Sequence, residues 1–97
     1  MSRRKGELSK FRIDEEWPFQ VSLPSRLTVG PAYVMVRMFA EKLSLAPRGH
    51  SFVRDGEYWS TWCFAKREDA EAFQAKFGGE IIAPKDRPRW PGRDRRR

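Results

Sequence analysis

The chain has 97 residues, 39% hydrophobic and 34% charged, with a net charge of +7 and a pI near 10.2. That length allows one domain with a modest core, and four Trp and seven Phe argue against wholesale disorder. Cys63 is the only cysteine, which excludes an intramolecular disulfide and a Cys-based zinc site, and no run approaches the roughly 18 apolar residues of a membrane span.

The positive charge is segregated. Residues Met1–Arg12 carry a net +4 and Pro84–Arg97 a net +5, whereas Ile13–Ala83 hold eight basic and ten acidic residues. The expected organisation is a flexible basic arm over 1–12, a single α+β domain over 13–83 and an Arg/Pro-rich tail over 84–97. The basic N-terminus, MSRRKGELSKF, leads into no apolar stretch, so no secretory signal is expected and the expected location is the cytoplasm. The acids Asp14, Glu15 and Glu16 lack the spacing of a calcium loop and read as a charged linker that can contact a basic tail.

Within the domain, Trp17–Leu23 predicts a strand closed by Pro24. Phe19, Val21 and Leu23 alternate with Gln20 and Ser22 at the period of a half-buried strand. Gly30–Pro31 then opens a predicted helix that ends before Pro47, because Pro is preorganised for the first helical position. Its expected buried residues are Val36, Met38, Phe39 and Leu43. The β-branched Val34 and Val36 leave a strand as the alternative for Tyr33–Phe39.

The strongest local signal is SFVRDGEYWSTWCFA. Asp55–Gly56 tolerates the positive φ of a two-residue hairpin turn, which sets Arg54 opposite Glu57, Val53 opposite Tyr58 and Phe52 opposite Trp59. A helix follows in KREDAEAFQAKFGG. Glu68, Asp69 and Glu71 sit in its first turns, where the macrodipole favours anions, and Gly78 suits its C-terminal cap. Ala70, Phe73 and Phe77 form its apolar stripe, and Glu80–Ile82 is the last predicted strand. In the tail, Pro84, Pro88, Pro91 and Gly92 forbid a regular helix.

The order β-α-β-β-α-β predicts an α+β, ferredoxin-like sandwich: an antiparallel sheet with two helices on one face and flexible basic termini. Residues Glu57–Ile82 resemble the second half of an RNA-recognition motif. An aromatic-rich strand ends in Phe64, Asp69–Ala70 opens a helix, and EAFQAKFGGEII supplies its continuation. The resemblance covers about a quarter of the chain. It implies an outward sheet face on which aromatics stack bases. Trp59 occupies one such position, while Thr61 and Gln20 stand where two further aromatics belong in that family. The Gly-rich strand signature of the family is absent.

No catalytic constellation is present, and no catalysis is expected. His50, the only histidine, has no triad partner near it in sequence, and nothing there argues for a lowered Cys63 pKa. No phosphate-cradling loop or other cofactor motif occurs, so no cofactor is expected. The leading expectation is a small accessory protein that binds RNA or another nucleic acid. Arg3, Arg4, Lys5, Arg87, Arg89, Arg93, Arg95, Arg96 and Arg97 would contact phosphates, with Trp59 and Trp90 stacking. The alternative is a homodimerising protein-interaction module with no nucleic-acid role, whose contact surface is an open sheet face around Phe52, Trp59 and Thr61. A small-ligand or regulatory domain, binding between helices and sheet, is a third option.

Overall fold

A computed structural model describes residues 9–88. Seven main elements run along the chain: α1 (Lys10–Glu16), β1 (Phe19–Pro24), α2 (Pro31–Ala40), β2 (His50–Arg54), β3 (Glu57–Phe64), α3 (Arg67–Phe77) and β4 (Glu80–Ile81). Short 3-10 turns occupy Ser25–Leu27 and Pro84–Asp86. The result is an α+β fold with three helices and one four-stranded antiparallel sheet in the order β2-β3-β1-β4.

The hairpin register follows its turn. Asp55 and Gly56 adopt φ of 55° and 77°, and the pairs Arg54↔Glu57, Val53↔Tyr58 and Phe52↔Trp59 form as the two-residue loop dictates. Chemistry at the ends delimits α3. Glu68 and Asp69 lie in its first turn, Lys76 in its last, and Gly78 leaves it at φ 83°. Asp69 also accepts from the Ser44 backbone N–H at 2.9 Å, tying the helix start to the end of the α2 connection. The Ser44 side chain, and then that backbone bond, hold the Asp69 carboxyl below its ordinary range.

The first sheet face carries the main core. Val21 and Leu23 of β1 and Trp62 and Phe64 of β3 pack on Val36 and Ala40 of α2 and on Ala70 and Phe73 of α3. The Phe73 ring lies 5.2 Å from Phe64, 5.7 Å from Trp62 and 5.1 Å from Phe77, so one aromatic joins sheet to helix. The helical assignment of 31–40 resolves the strand alternative. Met38, expected inside, is instead 59% exposed, and Ala40 takes the buried place. Helix α2 meets the sheet along Val36 and Ala40, four residues apart, and Met38 lies off that stripe.

The second sheet face is covered, contrary to the open face expected. Residues 10–12, read as part of an arm, and Asp14–Glu16, read as linker, belong to α1. Ser9 caps that helix by accepting from the Arg12 N–H at 3.1 Å, and Arg12 pairs with Glu16 one turn on. Its Ile13 is fully buried with Cys63 and Ala46, and Trp17 packs beside them. Strand β1 is therefore buried on both faces from Gln20 to Leu23, not in alternation. The tail also begins later than expected, because Pro84–Asp86 forms a turn and Arg87 docks on the body.

Candidate functional site

The covered face holds a polar cluster built from three distant parts of the chain. Asp14 of α1 receives both arms of the Arg87 guanidinium, at 3.0 and 3.1 Å. Gln20 of β1 donates to Asp14 at 2.9 Å and to the Trp17 carbonyl at 3.0 Å, and accepts from Arg87 at 2.8 Å. His50 of β2 sits 3.0 Å from Asp14 through Nε2. A carboxylate can only accept, so Nε2 carries the proton and Nδ1 presents a lone pair, buried without a partner among the described residues. Ser22 and Thr61 close the row with a hydroxyl pair at 2.9 Å.

The electrostatics of the cluster are those of a structural latch. Burial pushes the Asp14 carboxyl up, but hydrogen bonds from Arg87 and Gln20 and the neighbouring positive charge outweigh it, and the net shift is downward. His50 is held below its ordinary value by burial and then by the Arg87 charge, against the pull of Asp14. Burial drives the Cys63 thiol up to about 12, so it is not a nucleophile near neutral pH. Among the described residues no three His, Cys, Asp or Glu side chains gather to hold a metal ion.

The aromatic site fares differently from expectation. Phe52 is fully buried and Thr61 is 4% exposed, so neither offers a contact surface. Gln20 is also fully buried, and turns its amide into the latch. Trp59 is half-buried, stacked on Phe52 at 5.9 Å with the Arg54 guanidinium 4.2 Å above its ring. Arg54 in turn grips Glu80 of β4 through two hydrogen bonds. Of the predicted phosphate-contacting residues, only Arg87 lies among the described residues, and its guanidinium is committed to Asp14 and Gln20. Arg3, Arg4, Lys5, Arg89, Trp90, Arg93, Arg95, Arg96 and Arg97 lie outside them.

Contact between the Asp14–Glu16 acids and the basic tail was legible in the sequence, and Arg87 makes it through Asp14; the part of Gln20 was not. The available signal was local: Ser9 before KFRIDEE is an N-cap, and Ile13 is the one aliphatic residue of that helix. No helix among the described residues is long and apolar enough to cross a membrane. Searches against protein-family models, curated proteins and solved structures found no match for this chain.

Proposed function

We propose that this chain is a small, non-enzymatic, cytoplasmic nucleic-acid-binding accessory protein, with RNA as the first candidate, built on a ferredoxin-like βαββαβ domain. The strand order β2-β3-β1-β4, with α2 and α3 on one face, supports the fold reading. The binding reading rests on electrostatics, not on an open aromatic sheet. Residues 9–88 hold twelve Lys/Arg against eleven Asp/Glu, so nearly all of the +7 belongs to 1–8 and 89–97.

The observation that carries the reading is the Asp14–Arg87 pair. It brings the entry to the domain and the exit from it to the same side of the sheet. Ser9 lies five residues before Asp14 along α1, and residue 88 is adjacent to Arg87, so the two basic segments start within roughly 20 Å of each other. Positive charge attached on one side of a domain adds up in its attraction for a phosphate backbone.

Fluorescence anisotropy of a labelled single-stranded RNA, titrated across salt, tests the proposal. The full chain should bind with log K falling linearly in log salt. Deleting 89–97 should lower that slope by about 0.7 for each phosphate that the shortened chain no longer neutralises. Absence of RNA or DNA binding at about 50 mM salt overturns the reading.

A second reading, a homodimer without a nucleic-acid role, draws on a different face from Phe52, Trp59 and Thr61. Helix α2 leaves Val34, Met35 and Met38 exposed, with Met35 at 68%, and Val29 just before it is exposed as well. A two-fold dimer would pair this strip with its own copy. Light scattering should then give twice the monomer mass, and Met35→Lys with Met38→Lys should return it to one.

A further inference from the structure

We propose that the cavity between α2 and β3 binds a small planar aromatic carboxylate. The cavity is a cleft open to solvent of about 370 Å³, in the range of small-molecule sites and equal to the liquid volume of about a dozen waters. It therefore admits a single ring with one or two substituents.

The cavity exists because of how the chain approaches β3. Leu45 bridges to Phe64, and the Ala46 N–H donates to the Cys63 carbonyl at 2.8 Å, so the stretch after α2 lies along the strand. Gly49 makes the closest approach, since a Cβ there would collide with the Thr61 carbonyl oxygen. Across this wall stands Tyr33 of α2, its ring 6.0 Å from that of Trp62. Both line the cavity, and together with Leu45 and Val29 they supply apolar wall for an aromatic ring.

The charge of the lining selects an anion. Arg37 and Arg48 contribute to it, and no Asp or Glu does. Arg37 already pairs with Glu41 at 2.7 Å and reaches the Tyr33 hydroxyl at 3.4 Å, which fixes its position. Arg48 makes no ion pair among the described residues and is exposed, so its guanidinium is available to a carboxylate in a bidentate contact. Trp62, 7% exposed, lines the same wall, so its ring resonances report on what occupies the cavity. The hydroxyls of Thr28 and Ser60 also line the cavity, offering polar contacts to a ring substituent.

The probe is 4-hydroxybenzoate, added to the full chain and followed by 15N NMR and calorimetry. 4-Hydroxybenzamide serves as its neutral analogue and uridine 5′-monophosphate as a larger anion. The benzoate should move the Trp62 indole resonance and the Tyr33 and Arg48 amides. The amide should bind at least about tenfold more weakly, and Arg48→Gln should abolish that difference while Arg48→Lys keeps part of it. Three results overturn the proposal: no movement of these resonances at about 10 mM benzoate, equal binding of acid and amide, or tighter binding of the nucleotide in the cavity. Neither arm depends on RNA binding, because the resonances belong to the cavity and not to the basic ends.

Discussion

The Arg87 guanidinium closes on the Asp14 carboxylate through two hydrogen bonds, 3.0 and 3.1 Å long, across 73 positions of sequence. The contact fastens the last described turn to the first helix, and with Gln20 it seals the sheet face that an RNA-recognition motif would leave open. A pair this far apart in the chain removes considerable backbone freedom when it forms, so it persists only because the charged groups are well satisfied.

Removing the Arg87 side chain should therefore destabilise the domain. Arg87→Ala leaves Asp14 half-buried with one charged partner fewer, at a cost of about 1–3 kcal/mol. Partial exposure of the pair favours the lower part of that range. Urea denaturation should show the loss, and it should show none on deleting 89–97. If deletion of 84–97 leaves the midpoint unchanged, Arg87 contributes no stability.

Acid should weaken the fold in two stages. His50 has a folded pKa below its ordinary 6.5, so the unfolded chain binds its proton more readily. The stabilisation is complete above 6.5 and is lost as pH falls from there through the folded value. Asp14, also depressed, protonates more readily when unfolded, and its share is lost below about its ordinary 3.8. A series of melting temperatures against pH should show both steps, and His50→Gln should remove the first. A flat profile between about pH 7 and 5 would contradict the buried neutral imidazole.

Cys63 should resist thiol reagents in the native state. It is fully buried, and its thiol pKa of about 12 leaves almost no thiolate at about pH 8. Reaction with a chromogenic disulfide should be at least about a hundredfold slower than in denaturant. Rapid native labelling would show that α1 lifts from the sheet readily.

The hairpin turn offers a backbone test. Gly56 sits at φ 77° with open space where a Cβ would go, so Gly56→Ala meets conformational strain and no clash. The expected cost is about 1 kcal/mol, and Asp55→Asn at φ 55° should be neutral or slightly stabilising. Thermal melts of the two variants should move apart in that order. Gly49→Ala should be worse than either, because its Cβ meets the Thr61 backbone itself.

Features with local causes are legible in the chain alone. Asp55–Gly56 fixes the β2–β3 register, because a two-residue turn with both φ positive admits one pairing. Gly30–Pro31 and Gly78 bound two helices through their own backbone preferences, and the spacing of Ala70, Phe73 and Phe77 chooses the face of α3 that meets the sheet. What covers the other face is settled by packing between distant segments. Asp14 in a charged linker and Arg87 in a proline-rich tail read as solvated features, and Ile13 gives no sign of burial beyond being the one aliphatic residue of a seven-residue helix. Ile13 is buried against Cys63, and Arg87 reaches Gln20, two residues brought opposite each other once β1 and β3 have paired. Phe52 and Thr61, expected on a binding surface, lie in the interior instead. Alternation along a strand says which residues share a face, and the second layer alone says whether that face meets water.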